Sequence, residues 1–113
     1  MPLAVSDVDA LKGYIEGVMG RAEHHAGSVS GIALTLACAI IWRKDADPIE
    51  VMTQAGETKN VLWVRIGGQR YAFSYNHADQ AIEMRENTTH GAVLHQFSNA
   101  TPIQEIEQIF KGL

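Results

Sequence analysis

The chain reads as an α+β domain: two N-terminal helices, a four- to five-stranded antiparallel β-meander, and a C-terminal helix packed on one face of the sheet. Three observations predict this. The hydrophobic period is helical up to Arg43 and again after Thr101. Between Ile49 and Phe97 it falls to two. Gly67-Gly68-Gln69 separates two alternating stretches and is the clearest hairpin signal in the chain. At 113 residues the length suits one core and one domain.

Ser6 opens the first helix, with Asp7 and Asp9 at the positive end of its dipole. Val8, Leu11, Ile15, Val18, Met19 and Ala22 form one apolar stripe. Gly13, Gly17 and Gly20 share the opposite face, where each costs roughly 0.5–1 kcal/mol relative to alanine unless another backbone lies close. The second helix, capped by Ser28 or Ser30, contains Gly31–Trp42, apolar on all sides except at Thr35. It is expected to be central and enclosed on every side. Arg43-Lys44 closes it, and Asp45-Ala46-Asp47-Pro48 stops it. Its apolar run falls short of the about 20 residues a bilayer crossing needs.

Ile49–Gln54 alternates as an edge strand, with a short helix from Asp47-Pro48 as the competing assignment. Gly56–Asn60 reads as a polar turn. Across the hairpin, Leu62, Val64 and Ile66 share a face with Tyr71, Phe73 and Tyr75. Val61, Trp63, Arg65, Arg70, Ala72 and Ser74 lie on the other. Asn76–Asp79 is a turn. Ala81–Glu86 is a strand with Ile82 and Met84 inward and Glu83 and Arg85 outward. Asn87–His90 turns again before a strand over Gly91–Phe97. Thr101 as cap, Pro102 at the first position and Gln104 as the capping-box partner announce the last helix. Ile103, Ile106, Ile109, Phe110 and Leu113 supply its apolar face.

Apolar residues make up 46% of the chain and charged residues 19%, a globular balance. A net charge of −4 and a pI of about 5.6 argue against a nucleic-acid binder. The one cysteine, Cys38, permits no internal disulfide, is expected to be buried as a small hydrophobe, and suits a reduced cytoplasm. The N-terminus, MPLAVSDVD, has neither the basic nor the apolar region of a signal peptide. A soluble cytoplasmic domain is expected.

The residue pattern is poor in reaction chemistry. His24 and His25 are adjacent and point apart on a helix, and His90 and His95 fall on opposite faces of a strand. His77 with Asp79 supplies too few ligands for a structural metal. No metal and no cofactor is expected, and no catalytic residue is assigned. A buried Cys38 would be an unreactive thiol. Glu83 and Arg85 share a strand face, which favours a cross-strand ion pair over acid–base catalysis. Trp63, Arg65 and Arg70 on the outer hairpin face are residue types enriched in binding hot spots. A ligand or partner could stack on the indole there and pair with a guanidinium. The alternative is an indole covered by a helix of its own chain.

The segments FSYN and AIEMRENTTHGAVLHQFSNATPIQEIEQIF, within Phe73–Phe110, resemble the C-terminal half of small orphan proteins encoded by mobile integron gene cassettes. The resemblance covers about a third of the chain and includes no catalytic motif. It implies a compact bacterial α+β module, often oligomeric, and carries over no site residue.

Three functional expectations follow. The first is a non-enzymatic binding module, homodimeric through its N-terminal helices, with a partner surface on the outer hairpin face. The second is a small-molecule binder or small enzyme with a pocket between sheet and helices, using Tyr71, Tyr75, His95 or Glu83. The third is an acidic partner-neutralising protein, such as an immunity protein or antitoxin. Neither nucleic acid nor a membrane is expected as a partner.

Overall fold

In a computed structural model, the structure describes residues 8–9, 11–13, 15–16, 30–54, 57–76 and 78–113. Residues 8–9, 11–13 and 15–16 are helical, with Leu11 buried in the core and Ile15 packed against it. They coincide with the expected first helix, whose cap and whose Gly17 and Gly20 lie outside the described residues. Helix α1 spans Ser30–Arg43, followed by β1 (Glu50–Gln54), β2 (Glu57–Ile66), β3 (Gln69–Asn76), β4 (Ala81–Glu86), β5 (Val93–Phe97) and α2 (Ile103–Lys111). The five strands form an antiparallel meander in chain order. No helix among the described residues is long and apolar enough to cross a membrane.

The register follows from the hairpin. Ile66 pairs with Gln69, so Gly67-Gly68 is the whole loop. Both glycines have positive φ, 61° and 84°, as a two-residue turn matched to the strand twist requires. The carboxylate of Asp45, just after α1, accepts from both turn amides at 3.0 and 2.8 Å, which ties the hairpin tip to the end of that helix. From this register Leu62, Phe73 and Met84 line up on the inner face, with Val64, Tyr71, Ile82 and Phe97 around them. Phe73 and Phe110 stack with centroids 6.3 Å apart, so α2 closes the core from above. Arg43 of α1 donates to the backbone oxygens of Phe110 and Leu113 at 2.9 and 2.7 Å, joining the C-terminal ends of the two helices.

The structure departs from the sequence expectations in five places. First, α1 is not enclosed. Ile32, Ala33, Leu36, Ala37, Ala39 and Ile40 are buried, whereas Leu34, Ile41, Trp42 and Cys38 are exposed. A helix apolar all round carries no mark for its outward side, so packing alone selects the buried arc. Second, β2 begins at Glu57, so Glu57–Asn60 of the expected turn Gly56–Asn60 extend the strand instead, while Gly56 lies outside the described residues. Pairing with β1, through Thr53↔Thr58 and Gln54↔Glu57, satisfies its backbone. The same pairing decides Ile49–Gln54 for strand over helix.

Third, β5 begins at Val93 rather than Gly91, because Arg85 pairs with Val93 across a register shift. Fourth, α2 begins at Ile103 with Pro102 as its cap residue and no side-chain cap. The Thr101 hydroxyl accepts instead from the Ser98 amide at 2.9 Å, closing the loop before the helix. At α1 the cap comes from far along the chain, since Asn99 Oδ1 accepts from the Ile32 amide at 2.9 Å. Fifth, Glu83 lies on the outer face as expected but is buried there.

Candidate cleft on the outer face of the sheet

Strand alternation places Trp63 on the face of the sheet turned away from Phe73 and the core, in register with Glu50 of β1 and Ala72 of β3. Trp63 is half-buried and is not covered by α1 or α2, which lie on the opposite face. Arg70, one position beyond Ala72's neighbour Tyr71, returns over the indole, its guanidinium carbon 5.2 Å from the ring centroid. The same guanidinium donates to the Asn87 backbone oxygen at 3.0 Å and meets Glu50 at 3.4 Å. Asn87 has φ 64°, and its amide donates back to the Arg70 backbone oxygen at 2.8 Å. Arg70 is therefore held in place from both strand and turn.

Asp47, Pro48, Glu50, Trp63, Arg65 and Arg70 line a cleft of about 450 Å³. Arg65 is exposed, with Nε 3.7 Å from Asp47. Exposed ion pairs of this kind contribute little, roughly 0–1 kcal/mol, so each carboxylate is readily exchanged for one from outside. The cleft thus offers an aromatic plane, a guanidinium stacked on it and a second guanidinium at the rim. Trp63, Arg65 and Arg70 are brought together, as the sequence suggested. The walls from Asp47, Pro48 and Glu50 were not singled out from sequence. Their signal was the pairing Glu50↔Trp63, which becomes legible only once the β1 register is known.

The remaining candidates separate. Glu83 sits on the outer face at the centre of a polar cluster. It accepts from Asn76 at 3.2 Å, Gln96 at 3.1 Å and Arg85 at 3.0 Å. Asn76 and Gln96 also donate to Asp79, at 3.3 and 3.1 Å. Burial alone would raise the Glu83 carboxyl, but the three donors and the charge of Arg85 outweigh it and hold it below the usual carboxylate range. The Arg85 pair is formed within β4 rather than across strands. A carboxylate held ionised by three hydrogen-bond donors is a poor general acid or base.

Tyr71, Tyr75 and His95 all lie on the inner face, opposite Glu83, so these four do not line one pocket. Tyr71 is buried, donates to Gln69 at 3.2 Å, and has its phenol pushed up by burial and then by the charge of Glu86. Tyr75 is half-buried and packs against the core. His95 is half-buried at the β5 edge, 6.0 Å from the Phe97 ring. Among the described residues no group of three or more histidine, cysteine, aspartate or glutamate side chains is gathered for a metal ion. Cys38, expected to be buried, is exposed on α1.

A family model described as the integron cassette protein VCH_CASS1 chain matches residues 11–107, which include α1, the entire sheet and the first half of α2. No curated protein matches the chain.

Proposed function

This chain belongs to the integron cassette protein VCH_CASS1 family, and we propose that it acts as a non-enzymatic binding module whose docking surface is the cleft beside Trp63. The observation that carries this is the Arg70 guanidinium held over the Trp63 ring at 5.2 Å, at the side of an open cleft of about 450 Å³. A planar group entering the cleft stacks on the indole, and an adjoining carboxylate takes the place of Glu50 or Asp47 on an arginine. The occupant is therefore an anionic group with an aromatic neighbour, on a small molecule or at the surface of a protein. In this reading the module works in a bacterial cytoplasm.

The test is a titration with a panel of aromatic carboxylates, from benzoate to indole-3-acetate, followed on the indole N–H signals of the two tryptophans, Trp42 and Trp63. The Trp63 signal is expected to move, the Trp42 signal to stay, and the heat of binding, read by calorimetry, to vanish in Trp63→Ala. A panel in which no member moves Trp63, or which acts equally on Trp63→Ala, overturns the proposal.

A further inference from the structure

The charges around the Trp63 cleft narrow what it can hold. Arg65 of β2 and Arg70 of β3 stand directly opposite each other in the hairpin register. Like charges in that relation repel. Each guanidinium is compensated by a carboxylate from β1 or the segment just before it. Asp47 meets Arg65 at 3.7 Å and Glu50 meets Arg70 at 3.4 Å, with the two carboxylate side chains 60% and 66% exposed. Both arginines also line a second, smaller pocket of about 280 Å³, together with Gln69, Glu86 and Asn87. Across the two linings, two guanidiniums therefore face three carboxylates. Such a site exerts no net pull on an anion.

We propose that the ligand of this cleft is a free aromatic α-amino acid recognised as a zwitterion, an inference that rests on the binding-module reading above and specifies its ligand. A lone carboxylate that pairs with Arg70 displaces Glu50 and leaves it charged and unpaired alongside. One exposed ion pair is then exchanged for another, and little is gained. A ligand with an ammonium next to its carboxylate satisfies both members of the broken pair. Its carboxylate bridges Arg65 and Arg70 and relieves their repulsion, while its ammonium takes the Glu50 carboxylate. In an aromatic α-amino acid one carbon carries both charged groups and the ring follows one carbon later. Glu50 and Trp63 are direct partners across β1 and β2, so their side chains start about 4.5–5.5 Å apart. The Arg70 guanidinium already lies over the indole. Contacts for ring, ammonium and carboxylate thus come from one small area of sheet. A cleft of about 450 Å³ is near the small end of ligand sites, as suits an amino acid.

The experiment titrates the full chain at about pH 7, where carboxylates and amines are both charged, with L-phenylalanine, 3-phenylpropionate and phenethylamine. These share ring and chain length and differ only in their charged groups. Affinity is read from the Trp63 indole N–H signal. L-Phenylalanine is expected to bind at least about fivefold more tightly than either analogue, the worth of one partly exposed ion pair. In Glu50→Gln its advantage over 3-phenylpropionate should disappear, while 3-phenylpropionate itself binds at least as well as before, which also shows that the variant is folded. The wild-type comparison decides alone should the variant fail to fold. Equal binding of L-phenylalanine and 3-phenylpropionate by the wild type overturns the inference and leaves the aromatic-carboxylate reading standing. So does an advantage that survives Glu50→Gln, since the ammonium is then read elsewhere. A Trp63 signal moved by the aromatic carboxylates and not by L-phenylalanine overturns the inference alone; one moved by neither overturns both.

Discussion

Ala72 and Phe73 are consecutive on β3 and both are fully buried, yet they reach that state by opposite means. Phe73 points into the core, where Phe110 of α2 stacks on it and Leu62 and Met84 flank it across the strands. Ala72 points the other way and is small enough to vanish between Trp63 and Arg85, its cross-strand neighbours. On the inner face, cover comes from helices and is paid by apolar area. On the outer face, it comes from long side chains lying along the sheet, and those side chains keep their polar ends available. The difference shows how one five-stranded sheet supports both a rigid core and a surface with chemistry on it.

The largest expected effect lies on the inner side. Phe73→Ala should cost about 3–5 kcal/mol in urea unfolding, because it opens a cavity beneath α2 where the side chain is fully buried. A loss below about 1 kcal/mol would mean that the inner face is not the core.

Glu83→Ala comes next and tests whether the outer face contributes stability through charge. It leaves Arg85 without its carboxylate, keeping only the Gly91 backbone oxygen, and removes an acceptor from Asn76 and Gln96, at a cost of about 2–3 kcal/mol. The pH dependence has a fixed sign. The folded carboxyl titrates below its unfolded value, so the ionised form stabilises the fold above the ordinary carboxylate pKa, and that stability is lost as pH falls through the lower folded value. Between pH 6 and about 3 the wild type should therefore lose stability more steeply than Glu83→Gln, as read from unfolding curves at each pH. Equal slopes would remove Glu83 as the group responsible.

Much of the contrast was legible in the sequence, for a definite reason. Gly67-Gly68 sets the hairpin register, and alternation then divides Leu62, Val64, Tyr71 and Phe73 from Trp63, Arg65, Arg70 and Ala72. Strand periodicity also separates Glu83 from Ile82 and Met84. It gives the face and not the depth: the burial of Glu83 depends on Asn76 and Gln96, which come from the neighbouring strands. The same limit applies to α1. A wheel apolar on every side cannot say which arc faces Phe73 and which faces outward. Thr101 shows a third limit, because a residue suited to capping was taken by the Ser98 amide instead.

A smaller effect probes the connection between the two layers. Asn99 lies in the loop before α2, yet caps α1 through the Ile32 amide. Asn99→Ala should cost about 1 kcal/mol, with α1 amides near Ile32 exchanging faster than those near Ile40. Uniformly unchanged exchange would show that the cap does not hold that end of the helix.

The smallest stability effect is expected at Trp63, and for that reason it is the sharpest test of the contrast with Phe73. Both are large aromatics on adjacent strands of the same sheet, so removing either deletes a similar amount of apolar surface. Their surroundings differ. Phe73 is enclosed by helix and strand, whereas Trp63 borders an open cleft, and its removal loses the contact with Arg70 and part of the cover over Ala72. Trp63→Ala should therefore cost only about 0.5–1 kcal/mol, the scale of one exposed cation–π contact, while abolishing the response to aromatic carboxylates. If it costs as much as Phe73→Ala, the indole is a second core and the cleft is a by-product of packing. If stability is kept and binding lost, the outer face carries a large aromatic that the fold does not require, and its place beside Arg70 is explained by what it binds.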